Sequence, residues 1–150
     1  MLSLKGVRSI TAQCTSLRKT LHGCEKDFMS QNVREILQIL RFELNYLEQG
    51  GFYRDRALLG TESPFLGTST CINFGDPLRT HACRECLLHT FVPDDKQNEE
   101  NPCHYIPLND SGETIAQLIE KKDPERMVKV LELWLRTTIK RLEATLEDET

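Results

Sequence analysis

The sequence predicts a mainly α-helical protein: three amphipathic helices, with a long irregular Cys/His-rich metal-binding loop between helix one and helix two. Three observations carry that expectation. Apolar residues recur at helical spacing in one stretch near the start and two near the end. Between them, residues 52–109 are broken by Gly60, Pro64, Gly67, Gly75, Pro77, Pro93, Pro102 and Pro107. The same broken stretch holds Cys71, Cys83, Cys86 and Cys103, together with His81, His89 and His104.

The first helix is expected from Asn32 to about Gln49. Asn32 and Glu35 have the spacing of a capping box, in which the two side chains satisfy free amides at a helix start. Val33, Ile36, Leu37, Leu40, Leu44 and Leu47 make one apolar face. Gly50 and Gly51 are read as its stop, because glycine tolerates the left-handed conformation that closes a helix. Glu43 and Glu48 are read as solvated.

Within the loop, Leu87 to Val92 reads as a short helical turn or a strand. Cys103 to Leu108 alternates loosely, and Pro107 limits it to an edge strand. Asp94 to Asn101 reads as an exposed excursion. Phe52, Tyr53, Phe65, Phe74, Phe91 and Tyr105 are expected to form a small satellite core. Long loops inside compact proteins need something to hold them, and a bound metal is one such support.

Two helices follow the loop. Asp110 with Glu113 offers a start for the second, whose stripe is Ile115, Leu118 and Ile119 and which ends near Lys122. Asp123-Pro124 is a strong restart, with Asp as cap and Pro at the first helical position. The last helix should run from Pro124 to about Leu146, burying Met127, Leu131, Trp134, Leu135, Leu142 and Leu146.

Residues 29–150 are thus expected to form one helical domain. Residues 1–28 are expected to be a poorly ordered extension, with no acidic residue before Glu25 and basic residues at Lys5, Arg8, Arg18 and Lys19. That composition suits either a transit-like segment or an extension upstream of Met29. Cys14 and Cys24 lie there, with a spacing that fits no standard ligand pair. No signal-peptide core is present, so the expected setting is cytoplasmic and reducing, where paired cysteines more often bind metal or cycle redox state than form bridges.

The formal net charge of −4 argues against a nucleic-acid surface. No apolar run approaches the roughly 20 residues that span a bilayer.

The candidate metal ligands are Cys71, Cys83, Cys86 and Cys103. Cys83 and Cys86 form a CxxC, whose two intervening residues let both sulfurs turn to one point. Four thiolates suit a closed, tetrahedral structural zinc site. An iron–sulfur cluster takes the same ligands, but the tight run of cysteines typical of ferredoxin-like clusters is missing. A redox-active CxxC would use Cys83 and Cys86 alone, and a strand should precede it. His104 adjoins Cys103 and could replace it or another thiolate as ligand. Neighbouring residues of an extended chain face opposite ways, so the two are not expected to bind one ion together, and His104 reads first as a histidine at the surface or beside the site. His81 and His89 flank the CxxC and could hydrogen-bond a sulfur. Arg54, Arg56, Arg79 and Arg84 bring positive charge nearby.

No catalytic residue is assigned. GxSxG, HExxH and a phosphate-cradling glycine loop are all missing. The expected function is a small metal-stabilised intracellular binding or regulatory module, whose loop presents arginine and aromatic side chains to a protein partner. The alternative is an iron–sulfur or CxxC thiol redox protein.

Overall fold

The computed structural model describes residues 21–148, with side chains from residue 31 onward. The described residues are mainly helical and contain no strand. Four α-helices are present: α1 (Leu21–Glu48), α2 (Gly51–Leu59), α3 (Ile115–Glu120) and α4 (Pro124–Asp148). Residues 1–20 of the expected extension, Cys14 among them, lie outside the described residues. The side chain of Cys24 does too.

The long helices α1 and α4 run antiparallel. Arg41 in the last third of α1 pairs with Glu143 near the end of α4, at 2.6 Å, while Glu48 at the end of α1 pairs with Arg136 further back in α4. Between them lie Ile36, Leu37, Leu40 and Leu47 from α1 and Met127, Leu131, Leu135 and Ile139 from α4, all buried. Each such side chain contributes about 1.5–3 kcal/mol by leaving water. The exposed ion pairs add little beside that, because water screens them.

Two helix starts differ from expectation. The first helix begins at Leu21, so Asn32 and Glu35 are interior residues and cap nothing. The cap of α3 is Thr114 with Gln117, in place of Asp110 with Glu113. Thr114 Oγ1 accepts from the Gln117 amide at 3.4 Å, and Gln117 Oε1 accepts from the Thr114 amide at 3.1 Å. The start of α4 follows expectation: Asp123 Oδ1 accepts from the Arg126 amide at 3.0 Å, and Pro124 takes the first helical position.

α2 was not expected at all. Gly50 adopts φ 72° and ends α1, and Gly51 opens a new helix at once. A Cβ on Gly51 would lie 2.4 Å from carbons of the Tyr46 ring, so only glycine allows the two helices this close an approach. Phe52 is then buried, while Leu58 and Leu59 near the far end of α2 are exposed.

Residues 60–109 form turns and short 3₁₀ helices at Cys83–Glu85, Leu87–Phe91, Asp94–Lys96 and Pro102–Tyr105. The edge strand expected from Cys103 is therefore a 3₁₀ turn. Leu88, Val92, Ile106 and Leu108 anchor this segment in the same core as the helices. No separate aromatic satellite forms: Phe52 and Phe65 join that core, and Phe91 meets the Trp134 ring edge-on at 5.3 Å. Tyr53 and Phe74 are exposed.

Candidate cysteine site

Local side-chain hydrogen bonds fold the first interval back on itself. Asn73 clamps the backbone of His81 in both directions, accepting from its amide and donating to its carbonyl, each at 3.0 Å. Inside that clamp the Asp76 carboxylate accepts from the amides of Leu78 and Thr80 and from the Thr80 hydroxyl. Those bonds to Thr80 hold the Asp76 carboxyl below its ordinary pKa. The result returns the chain from Cys71 to Cys83 at the wall of one cavity. Cys86 follows after one 3₁₀ turn, its amide donating to the Cys83 carbonyl at 3.0 Å. Cys103 comes from the turn that buries Pro102.

All four cysteines line one cavity of about 20 Å³, and all four are free thiols. Burial above all, and then Cys86, Cys71 and Cys83, push the Cys103 thiol up to about 12. Burial also raises Cys86, against the backbone amides of Leu88 and Ile72, which are directed at its sulfur. Arg79 Nη2 stands 3.8 Å from Cys83 Sγ. Among the described residues, no three or more His, Cys, Asp or Glu side chains are already arranged to hold a metal ion. The sulfurs surround a shared space without converging on one point.

The histidines separate. His81 is exposed, with Nδ1 3.9 Å from Glu85. His104 is half-buried, and its Nε2 meets Ser63 Oγ at 2.7 Å. Its pKa is lowered by burial and then by Arg79. His89 lines the cysteine cavity, and its Nε2 is buried without a hydrogen-bond partner. Of the four arginines expected near the loop, Arg79 is held against a sulfur. Arg54 instead donates to the Gln49 carbonyl at 2.8 Å.

Glu43 was expected in solvent and is fully buried. It lies three residues after Leu40 and four before Leu47, in the middle of the buried stripe, and that periodicity is the signal that locates it. Its Oε2 accepts from the Thr68 hydroxyl at 3.1 Å and the Thr70 hydroxyl at 2.5 Å, while Oε1 has no partner. Burial raises its pKa from 4.5 to about 7, and the charge of Asp55 adds to the rise. Thr70 also turns its carbonyl toward Cys86 Sγ, at 4.0 Å.

No family model, curated protein or solved structure matches this chain. None of the helices among the described residues is long and apolar enough to cross a membrane.

Proposed function

We propose that the protein is a small metal-stabilised binding or regulatory module of a reducing, intracellular compartment, in which Cys71, Cys83, Cys86 and Cys103 close on one structural zinc ion. The observation that carries this reading is that four cysteines, from three separate turns, line one cavity. Four neutral thiols packed together gain little, and Cys103 and Cys86 ionise only against burial and their neighbours. A divalent cation replaces their protons and reverses that repulsion. The amides of Leu88 and Ile72 supply hydrogen bonds that favour a thiolate at Cys86. With four protein ligands the ion keeps no open position, so its part is to hold residues 70–105 in shape. That segment would then offer exposed Phe74, Leu78 and Arg84 to a protein partner.

The iron–sulfur alternative fits less well. A cavity of about 20 Å³ is close to what one water needs, ~10–15 Å³, and suits a single ion better than a cluster. The thiol redox alternative calls for a depressed thiol pKa at a helix start. Here burial raises Cys86, and the CxxC sits in a 3₁₀ turn.

Anaerobic purification with metal analysis tests the reading. It expects a colourless protein with about one zinc per chain, lost in Cys86→Ser and Cys103→Ser. Chelation should speed amide exchange across residues 70–105 while helical circular dichroism persists. A brown, iron-containing preparation would establish the cluster instead. A metal-free protein whose Cys83 and Cys86 cycle through a disulfide would establish the redox alternative.

A further inference from the structure

Cys86 and His89 are linked by the backbone of a 3₁₀ turn, the His89 amide donating to the Cys86 carbonyl at 3.0 Å. Both side chains line the same cavity. His89 thus stands in the wall of the cavity that holds the four sulfurs. Its Nε2 is shut off from solvent there and has no acceptor. Such an orphan is uncommon in a folded protein and calls for a partner. The other two histidines of the segment have other surroundings, His104 against Ser63 and His81 at the surface beside Glu85.

A neutral thiol is a weak acceptor, whereas a thiolate accepts a charge-assisted hydrogen bond. Four thiolates on one zinc ion leave two negative charges in excess, and Arg79 stands 3.8 Å from one of the sulfurs, that of Cys83. We infer that His89 is a positioning residue of the cysteine site, its Nε2–H donating to a sulfur once the thiols are deprotonated on the metal. This rests on the zinc reading above and adds to it a residue outside the ligand set.

The test compares the full chain with His89→Phe and His89→Gln. Zinc affinity is read by chelator competition, and ligand type by the absorption spectrum after cobalt substitution. His89→Phe fills the space without a donor and should bind zinc roughly 10–100-fold more weakly at unchanged stoichiometry. His89→Gln places an N–H in a similar position and should recover most of that loss. The cobalt spectrum should report four sulfurs in all three proteins. Equal affinity in wild type and His89→Phe, with circular dichroism confirming that the variant folds, overturns the inference. So does a wild-type spectrum of three sulfurs and one nitrogen that changes on substitution, because His89 would then be a ligand. A wild-type chain that binds neither zinc nor cobalt removes the four-cysteine reading, and this inference with it.

Discussion

Glu43 and Glu113 are both nearly closed off from solvent, at 0% and 8% exposure, yet their carboxyl groups face opposite surroundings. Glu113 meets a guanidinium fork, with Arg126 Nε and Nη2 at 2.8 and 2.9 Å from its two oxygens. Asn109 adds a bond at 3.1 Å, and Lys121 stands 3.8 Å away. Arg126 above all holds its pKa below the ordinary carboxylate range. Glu43 has only two threonine hydroxyls, both on Oε2, and its nearby charged group is Asp55, itself bonded to the Tyr46 hydroxyl at 2.5 Å. Enclosure alone therefore does not decide ionisation. A cation at bonding distance fixes one acid as a carboxylate, and its lack leaves the other favouring its proton up to about pH 7.

The two acids should respond to pH in opposite senses. The largest effect belongs to Glu43. Its folded pKa lies above its unfolded one, so its contribution is intact below about pH 4.5 and is lost as pH rises through about 7. A rise from 4.5 to about 7 corresponds to roughly 3 kcal/mol of lost stability by pH 8. Glu43→Gln should abolish that slope, measured by urea unfolding at several pH values. Parallel curves for variant and wild type would mean that Glu43 ionises freely. Thr70→Val should follow, costing about 1–2 kcal/mol at pH 5 by removing one hydroxyl from a buried acceptor. It should also extend the loss to higher pH, since the Thr70 bond holds the pKa down. Glu113→Gln should give the smallest change, a loss of stability at neutral pH that disappears in acid. Wild type loses the contribution of Glu113 as pH falls through its lowered pKa, and the variant should lack that limb. A variant equally sensitive to acid would show that the Arg126 pairing adds nothing to stability.

The sequence made some of this legible and hid the rest for identifiable reasons. Asp123-Pro124 announced α4, because a side-chain cap and a fixed φ act locally. Asn32 and Glu35 misled, since a capping-box spacing also occurs inside helices, where the amides already have partners. Gly50-Gly51 was read as a single stop. The second glycine instead answers to the Tyr46 ring, a contact between helices that no local pattern encodes. The four cysteines were grouped by spacing alone, and the fold places all four in the lining of one cavity. Which histidine joins them depended on the phase of a 3₁₀ turn that was expected only as a helical turn or a strand. Glu43 was misread because residue type was weighed above position, although its place between Leu40 and Leu47 marked it as inward-facing.

Thr70 gives those two buried places a common hinge. Its hydroxyl rests on the Glu43 carboxyl, and the carbonyl of the same residue points at the Cys86 sulfur. One residue thus touches both a buried carboxyl on a helix and a cysteine of the cavity in the turns. If ligation of that sulfur shifts the titration of Glu43, linkage requires protonation of Glu43 to shift the ligation by the same coupling free energy.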